Sequence, residues 1–485
     1  MKKPPTQRRI LGPFNRVEGD LEVHVAIDEN QVSKAWVNSP LFRGFEQILQ
    51  AKDPLDALVY TPRICGICSV SQSIAAAQAL AVAQGIQICP NGQLAANLIL
   101  AAENMADHLT HFYLFFMPDF ARPVYADKNW FDSIQARFKA QTGTATKEVL
   151  PARAALLHLT GILAGKWPHS LAIQPGGTTR PITAQEKISL LTIIRSFRHF
   201  LQETLFGAEL EQVAAIQSAN ALSTWQQSYP NADFSRFLML ADDLNLDSLG
   251  RAGDCFMSYG AYHNQQTALF KAGVWQHQYA PLEPHQISED LSHSWLSGEH
   301  EAKHPFEGST LAGNHEPDGY SWCKAPRLDG KMVEVGAIAR QIVNGQALIQ
   351  ELVSHSGSNV HHRVVARLLE LALVVPEMEK WCQQIHVQDT FCLTAPMPEE
   401  AQGAGLVEAA RGSLGHWLSI KGGRIDNYQI IAPTTWNFSP RDASAQPGAL
   451  ELALQGTRVE DEAKASVAIQ HIIRSFDPCM VCTVH

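Results

Sequence analysis

The spacing of apolar residues along the chain predicts a fold built mainly from long helices. Residues 69–84 are rich in alanine, begin with serines and end before Gly85, which indicates a helix of about four turns. Residues 93–116 are almost continuously apolar and predict a longer helix that is buried on most sides. Similar runs predict further helices, at residues 185–216, 333–354 and 360–385.

Strand patterns are fewer and shorter. Residues 21–37 alternate apolar and polar around an Asp-Glu-Asn turn, which predicts a β-hairpin with one wet face, and a second short β element is predicted at 423–438. Clusters of Gly, Pro and polar residues predict loops, at 218–232, 283–331 and 394–405. We therefore expect a single domain over residues 1–485, mostly α with small β elements (an α+β fold), with a long-helix bundle at its core and small sheets at its edge.

Composition and charge narrow the range of functions. The chain is 45% hydrophobic and 18% charged, with a net charge of −10 and no Lys/Arg block, which argues against nucleic acid as a partner. The basic N-terminal residues lead into no apolar segment, and the longest apolar runs, such as 367–375, fall short of the roughly eighteen residues that a membrane span needs. We expect a cytoplasmic chain, or one that is exported or membrane-associated only through a partner.

Four of the nine cysteines form two C-x-x-C pairs at opposite ends of the chain, Cys65 with Cys68 and Cys479 with Cys482. In a reducing compartment such pairs are typical of metal or redox sites. A structural zinc is the simplest interpretation, because four thiols suit a zinc tetrahedron. The remaining cysteines show no second metal spacing and are interpreted as buried small hydrophobes: Cys89, Cys255, Cys323, Cys382 and Cys392.

Three features favour a redox-active or gas-binding metal over zinc. The pairs flank the whole chain, so their site would lie where the two ends meet in the core. The first pair precedes a predicted helix, whose N-terminal amides favour thiolate. Four thiolates on a divalent ion leave a net charge of −2, and charged residues lie close to both pairs, Arg63 and Asp477 among them. Thiolates bind nickel, iron or copper(I) as readily as zinc, and spacing alone does not choose among them.

The surrounding motifs resemble those of the large, catalytic subunit of nickel–iron hydrogenases. They follow in order between residues 12 and 485: "NRVEGDLEV", "LFRGFEQIL", "RICGICSVSQS", "DHLTHFY", "EAARGSLGHW", "NYQIIAPTTWN" and "DPCMVCTVH". The resemblance implies a nickel–iron centre whose iron carries cyanide and carbon monoxide, and at which hydrogen is split heterolytically. It also implies that Cys65 and Cys479 are terminal nickel ligands, and that Cys68 and Cys482 bridge nickel and iron.

Further roles come from the same resemblance. Glu18 matches a glutamate that relays protons. Glu46 and His485 match ligands of magnesium or a similar ion, which would also bind a backbone carbonyl near Ile430, as suits a hard cation. From the residues alone, a surface carboxylate paired with Arg16 is the alternative for Glu18, and a frayed chain end is the ordinary interpretation of His485.

Arg411 and Thr434 match groups that face the iron-bound cyanides, since buried anionic acceptors need hydrogen-bond donors. Asp107 and Asp477 match carboxylates that hold Arg411 charged and oriented. From sequence pattern alone, Asp107 is equally a helix-face aspartate and Asp477 a residue resembling an N-cap. Two histidines of the predicted helix at 93–116 have no assigned role and are expected to be core residues: His108 and His111.

Departures from the family pattern resemble its hydrogen-sensing branch. Gln72 occupies a position where most members carry histidine. Ile67 and Phe115 occupy positions where catalytic members have smaller valine and leucine at the end of the gas channel, and larger side chains would hinder dioxygen more than hydrogen. Ala410 replaces the usual proline. Each change is equally explained as neutral drift in the core.

The resemblance predicts a sensor-type large subunit that slowly oxidises hydrogen and signals to a histidine kinase through an iron–sulfur small subunit. A terminal thiolate or Arg411 would act as the base. No cluster motif is found in this chain, so the clusters belong to the partner, and maturation factors would insert nickel and iron. Family members carry a C-terminal extension that is cut after the histidine, so a chain from Met1 to His485 lacks it, as in the sensor branch, or is already processed.

Three alternatives remain open. The first is an uptake hydrogenase of the same branch that feeds electrons to a respiratory chain. The second is a non-catalytic relative such as the quinone-site subunit of respiratory complex I, against which the four retained thiols argue. The third is a zinc-stabilised interaction protein.

Overall fold

Helices are the main elements of the computed structural model, which describes residues 7–264, 267–298, 301–313, 318–459, 462–483 and 485. The α-helices in these ranges are α1 (Phe45–Leu49), α2 (Ala57–Tyr60), α3 (Ser69–Gln84), α4 (Pro90–Thr110), α5 (Phe131–Phe138), α6 (Thr144–Ala164), α7 (Ala184–Phe200), α8 (Leu210–Ala214), α9 (Ala219–Ser228), α10 (Asp233–Asp243), α11 (Ala337–Asn344), α12 (Ala347–Ser356), α13 (Val360–Gln384), α14 (Pro433–Asn437), α15 (Ala449–Leu454), α16 (Glu462–Ser475) and α17 (Met480–Thr483).

Strands form small antiparallel sheets between the helices. They are β1 (Gln7–Leu11), β2 (Glu22–Asp28), β3 (Gln31–Asn38), β4 (Ile173–Gln174), β5 (Gly176–Thr178), β6 (Phe256–Ser258), β7 (Ala261–Asn264), β8 (Thr267–Phe270), β9 (Gly273–Gln276), β10 (Gln278–Ala280), β11 (Ile287–Asp290), β12 (Leu296–Ser297), β13 (Leu311–Ala312), β14 (Ala325–Leu328), β15 (Cys392–Leu393), β16 (Ala401–Ala409), β17 (Gly412–Lys421) and β18 (Arg424–Ile431). The expected α+β class, dominated by helices, is confirmed.

Periodicity located the longest helices correctly. Helix α3 has the predicted bounds, α13 matches the run at 360–385, and α4 continues through a π-helical turn at His111–Phe116 to cover the rest of 93–116. Two predicted runs are each broken by a glycine, because Gly207 (φ 68°) and Gly345 (φ 88°) adopt the left-handed conformation that ends a helix.

All three predicted loops are partly wrong, and the one at 283–331 contains the short strands β11, β12, β13 and β14. Helix α9 lies inside the predicted loop at 218–232, where the Ser218 side chain caps it by accepting the amide proton of Ala221 at 3.1 Å. Its polar sequence resembles a loop because much of the helix is exposed. The end of the predicted loop at 394–405 is strand β16, and the longer helix α6 lay outside every predicted run.

Both predicted β regions form sheets. Strands β2 and β3 pair around Glu29 and Asn30, and β1 adds a third strand beside β2. The second region, 423–438, is strand β18 followed by helix α14, and β18 pairs with β17, which pairs with β16. This second sheet does not lie at the edge of the fold as expected, because nearly every residue of β17 is buried.

Helix α3 lies directly on strand β16. A β-carbon on Gly405 would come within 1.9 Å of the Ala75 carbonyl oxygen, and one on Gly403 within 2.0 Å of the Ala79 carbonyl oxygen. Only glycine permits such an approach of two backbones. The sheet therefore fixes the position of the helix that begins after Cys68.

The two chain ends meet in the interior. The amide of Glu18 donates to the Pro478 carbonyl oxygen at 3.4 Å, and the amide of Met480 donates to the Glu18 carbonyl oxygen at 2.7 Å. A short parallel bridge thus joins the N-terminal segment to the segment that carries the last two cysteines. Among the described residues, no helix has the length and apolar character required to cross a membrane.

Candidate metal centre

The structure brings the four cysteines of the two C-x-x-C pairs to one point. Their sulfur atoms all lie within 4.8 Å of one another. The Cys68–Cys482 and Cys479–Cys482 sulfur distances are 3.1 Å, and the Cys65–Cys479 distance is 3.5 Å. All four side chains are buried. Residues from opposite chain ends therefore form a single compact thiol cluster, which we call the four-cysteine site.

Local backbone structure positions each sulfur. Cys68 is the N-cap residue of α3, and the amides of Ile67 and Cys68 donate to the Cys65 sulfur at 3.3 and 3.5 Å. The Cys479 amide donates to the Thr434 hydroxyl oxygen at 3.0 Å, which ties the tail to α14. Amides at the start of a helix stabilise negative charge, so these two amides favour thiolate at Cys65.

Arg43 joins the two cysteine segments and was not predicted. Its Nη1 donates to the carbonyl oxygens of Ile64 and Val481, and its Nη2 donates to the Arg63 carbonyl oxygen at 3.2 Å. These carbonyls lie next to Cys65 and Cys482 in the chain. Arg43 belongs to the motif "LFRGFEQIL", which was the only sequence signal that could have indicated it.

Arg411 lies beside the four-cysteine site, between the two carboxylates that were expected to hold it. Its Nε donates to the Asp477 carbonyl oxygen at 2.8 Å, and its Nη1 lies 2.8 Å from Asp107 Oδ2. Its Nη2 lies 3.2 Å from one oxygen of each carboxylate. Burial raises the pKa of Asp107 to about 8, although Arg411 opposes the shift. Burial also opposes ionisation of Asp477, but Arg411 outweighs it and lowers the pKa of Asp477.

The charges of the site fit a bound metal. Hydrogen bonds among the thiols and burial raise the pKa of Cys68 and Cys482 well above the ordinary value, and the pKa of Cys479 is raised as well. Only Cys65, which the other thiols and Arg411 favour as thiolate, has a lowered pKa among these four. The charge of Arg411 is already balanced by the ionised Asp477, so four thiolates need additional positive charge, and a soft transition metal supplies it.

Glu18 lies next to Cys479 through the backbone bridge between the chain ends. Its side chain is half-buried, and Arg16 pairs with the buried Asp119 instead of with Glu18. The alternative of a surface Glu18–Arg16 ion pair is therefore wrong. Burial and the Cys65 sulfur raise the pKa of Glu18, while Arg411 lowers it. A carboxyl group with a raised pKa binds and releases a proton closer to neutral pH than an ordinary glutamate.

Glu46 and His485 form a second buried cluster behind the four-cysteine site. Glu46 Oε1 accepts the amide proton of Ile430 at 2.6 Å and lies 3.2 Å from His485 Nε2. His485 Nδ1 donates to the Cys482 carbonyl oxygen at 2.6 Å, so His485 is not a frayed chain end. Burial opposes ionisation of Glu46, but Lys324 and His485 lower its pKa to about 2.

Polar residues around Glu46 come from segments that the sequence pattern did not connect to it. Lys324 Nζ lies 3.8 Å from Glu46 Oε2, 3.2 Å from Glu289 Oε2 and 2.6 Å from Gln429 Oε1. Thr310 donates its hydroxyl proton to Glu46. Three of these four lie within the predicted loop at 283–331, where no periodicity reveals a tertiary contact.

Of the remaining predicted positions, Gln72 and Ile67 lie beside the four cysteines. Gln72 is in the first turn of α3, with its Nε2 4.0 Å from the Cys482 sulfur. Ile67 is half-buried between Cys65 and Cys68. Phe115 is half-buried in the π-helical turn after α4, and its carbonyl oxygen accepts a hydrogen bond from Arg16 at 3.0 Å.

The two unassigned histidines are core residues with polar partners, as expected. His108 Nε2 lies 3.1 Å from Glu370 Oε1, and His111 Nε2 donates to the Arg474 carbonyl oxygen at 2.6 Å. Of the five other cysteines, three are buried and two are half-buried: Cys89, Cys323 and Cys382, and Cys255 and Cys392.

Glu103 lies beside the four-cysteine site and was not predicted from the sequence. Its buried carboxylate accepts the amide protons of Val70 and Ser71 at 2.9 and 3.0 Å, which satisfies the start of α3 beside Cys68. Trp167 Nε1 also donates to it at 3.0 Å. A single glutamate inside an apolar helix was the available signal.

A helical core that closes both chain ends around four buried thiols defines a subunit of a thiolate-ligated metalloenzyme. The family model for nickel-dependent hydrogenase matches residues 43–147 and 144–485. The chain therefore belongs to the nickel-dependent hydrogenase family, as a large subunit.

Named relatives agree with this assignment over the whole length. The chain is 28% identical to the periplasmic [NiFeSe] hydrogenase large subunit of Desulfomicrobium baculatum, covering 98% of this chain and 94% of the relative. It is 27% identical to the hydrogenase-2 large chain of Escherichia coli K12, covering 99% and 97%. The structure of the reduced Ni-Fe-Se hydrogenase of D. vulgaris Hildenborough superposes with a TM-score of 0.83 at 28% identity, covering 99% of this chain and 100% of that one.

Proposed function

We propose that the chain holds a nickel–iron centre that binds and heterolytically splits hydrogen, with Cys65 and Cys479 as terminal nickel ligands and Cys68 and Cys482 as bridging ligands. The observation that carries the proposal is the meeting of four buried sulfurs within 4.8 Å. When bound, such a centre, with cyanide and carbon monoxide on iron, supplies the Lewis acidity and redox chemistry that polarise hydrogen.

Different residues beside the four-cysteine site would accept the proton and carry it outward. Asp107 and Asp477 raise the pKa of Arg411 well above its ordinary value, so the guanidinium keeps its proton. A terminal thiolate is therefore the better base, and Arg411 acts by stabilising negative charge with oriented N–H groups. Glu18 is bridged by its backbone to Cys479 and carries the proton outward, which its raised pKa supports.

Two residues would satisfy the cyanide ligands of iron. Arg411 presents a buried guanidinium beside the sulfurs, and its Nη1 has no well-aligned hydrogen-bond acceptor among the described residues. The Thr434 oxygen accepts the Cys479 amide proton, which leaves the hydroxyl proton to be donated. Both groups meet the need of a buried anionic acceptor for donors.

A magnesium or similar hard ion is proposed at Glu46 and His485, with a carbonyl near Ile430. The buried carboxylate and the imidazole Nε2 already face each other at 3.2 Å. Carboxylate and carbonyl oxygens are the ligands that magnesium prefers.

Electrons would leave through iron–sulfur clusters of a small subunit, because no cluster motif is found in this chain. We propose that the complex is a cytoplasmic hydrogen sensor that signals to a histidine kinase, and that maturation factors load its nickel and iron. Gln72, Ile67 and Phe115 support the sensor role, since they occupy the positions where the sequence departs from catalytic members. The two apolar side chains would act as a steric filter against dioxygen.

An uptake hydrogenase is the second candidate. It is favoured by the names of the relatives, which include a periplasmic enzyme and the uptake hydrogenase large subunit of Afipia carboxidovorans. In that case the same centre would feed electrons to a respiratory chain at high turnover.

Hydrogen-dependent dye reduction by the purified large and small subunits, measured with and without dioxygen, tests the two candidates. The sensor proposal predicts a low rate that dioxygen leaves unchanged. It also predicts that the double variant Ile67→Val, Phe115→Leu becomes sensitive to dioxygen, while the control Ile99→Val in buried helix α4 does not. A high rate that dioxygen abolishes in the unaltered protein would favour the uptake role.

A further inference from the structure

A line of three buried side chains extends from the four-cysteine site into the sheet of β16, β17 and β18. Gln72 Nε2 lies 4.0 Å from the Cys482 sulfur, and Gln72 Oε1 lies 2.8 Å from His416 Nε2. His416 Nδ1 lies 2.8 Å from the Tyr428 hydroxyl oxygen. All three side chains are at most 1% exposed. Helix α3 supplies Gln72, strand β17 supplies His416 and strand β18 supplies Tyr428.

The direction of these hydrogen bonds is fixed by the sulfur at one end. An imidazole that is neutral has one donor and one acceptor nitrogen, and burial lowers the pKa of His416 to about 3. If Tyr428 donates to Nδ1, then Nε2–H donates to Gln72 Oε1, and the Gln72 amide turns its N–H toward Cys482. The reverse direction would turn the Gln72 carbonyl oxygen toward a thiolate, which is repulsive.

The backbone holds this geometry in place. Gly405 in β16 is the cross-strand partner of His416, and the space beside its missing side chain is taken by the Ala75 carbonyl of α3. The helix therefore lies close enough to the sheet for His416 to reach Gln72, one turn before Ala75. Nothing in the sequence pattern connects Gln72 with either partner.

We propose that His416 and Tyr428 are positioning residues, which orient the Gln72 amide as a hydrogen-bond donor to the sulfur of Cys482. The proposal rests on the proposed function, in which Cys482 bridges nickel and iron. A donor withdraws electron density from a thiolate sulfur, so the line of residues sets how much density that sulfur gives to the metals. Hydrogen bonds to the side chains that ligate a metal commonly adjust a metal site in this way.

Infrared bands of the iron-bound cyanide and carbon monoxide report this electron density directly. The measurement compares the purified two-subunit protein with His416→Leu, which removes the donor to Gln72, and with His416→Gln, whose terminal amide can replace the imidazole Nε2–H. We expect the bands of His416→Leu to move to lower wavenumber and those of His416→Gln to stay at the position of the unaltered protein. Nickel and iron contents are measured on the same samples.

Two further variants make the test decisive. His361→Leu removes a histidine that stacks on Phe237 and serves as a control, with no expected shift. Tyr428→Phe removes only the hydroxyl that fixes the His416 ring, so a smaller shift to lower wavenumber is expected, and it decides the matter if His416→Leu does not fold.

Different results would overturn the positioning role and the proposed function on which it rests. The positioning role would be overturned if His416→Leu, at full metal content, showed its infrared bands at the positions of the unaltered protein. Where His416→Leu does not fold, the same result in Tyr428→Phe would overturn it. An equal shift in His416→Leu and His416→Gln would overturn it too. The absence of nickel and of these bands from the unaltered protein would instead overturn the proposed function.

Discussion

Replacing Gly405 by alanine is expected to separate helix α3 from the sheet that supports it. The added methyl would lie 1.9 Å from the Ala75 carbonyl oxygen and 2.8 Å from the Ala79 amide nitrogen. Real β-carbons almost never approach a heavy atom within 3.0 Å, so the helix has to move by about 1 Å or more. Both atoms belong to a backbone, and neither can rotate away. The displacement would carry Cys68 and Gln72 with the helix.

The energetic cost follows from overpacking a well-packed interior. Such substitutions cost about 1–3 kcal/mol, and we expect about 3 kcal/mol because the clash is with a helix backbone. A chain of 485 residues has an unfolding entropy of about 1 kcal/mol/K at roughly 2.1 cal/mol/K per residue. The midpoint of thermal unfolding is therefore expected to fall by about 3 °C if the chain unfolds as one unit.

The assay is thermal unfolding of the purified two-subunit protein together with its nickel content. Gly161→Ala is the matched control, because a β-carbon at this position in α6 meets no heavy atom within 4 Å. Alanine in a helix interior is favoured over glycine by up to about 1 kcal/mol, so this control is expected to unfold at the same temperature or slightly higher. If Gly405→Ala unfolded like Gly161→Ala and bound nickel fully, the close approach of α3 to β16 would not support the site.

Four other changes test separate parts of the site. Arg411→Lys keeps one positive charge but presents a single nitrogen in place of the guanidinium, whose three nitrogens contact Asp107, Asp477 and the Asp477 carbonyl oxygen. Hydrogen-dependent dye reduction is expected to fall at least about tenfold, and an unchanged rate would contradict the role of the guanidinium. Glu18→Gln keeps the shape without the titratable proton, so hydrogen–deuterium exchange is expected to slow while the infrared bands stay unchanged; wild-type exchange would remove Glu18 from the proton path. Arg43→Ala loses the bonds that join the two cysteine segments, so nickel content after purification is expected to fall more than in Arg43→Lys. The pKa of Glu46 is lowered in the folded state, so this carboxylate contributes stability above its unfolded pKa, and the contribution is lost as the pH falls from about 4.5 toward 2. In metal-depleted protein, Glu46→Gln is therefore expected to flatten the dependence of stability on pH in this range. An unchanged dependence would count against the lowered pKa.

Local patterns in the sequence were sufficient for most of the long core helices, but not for α6, which was not predicted. An apolar surface repeating along α4 and α13 is visible without any tertiary information, and so are the glycines and serines that bound α3. The polar helix α9 was not predicted, because its exposed sequence resembles that of a loop. The β element at 423–438 was expected in a small sheet at the edge of the fold, whereas nearly every residue of its partner strand β17 is buried.

Site residues were predictable from the sequence where they lie in short motifs. The cysteine pairs, Arg411 and Glu46 each lie in such a motif. The structure brings the four cysteines together, and it places Arg411 beside its two expected carboxylates and Glu46 beside His485. Arg43, Lys324 and His416 act through contacts between segments far apart in the chain. Neither spacing nor periodicity encodes which strand faces which helix, so those partners required the folded structure.

Elemental analysis combined with infrared spectroscopy tests the central claim most directly. The purified two-subunit protein is predicted to contain nickel, together with iron in excess of that in the small subunit's clusters, and to show bands of iron-bound cyanide and carbon monoxide. The nickel and the bands are lost in Cys482→Ser. Zinc in place of nickel, with no such bands, would contradict the account.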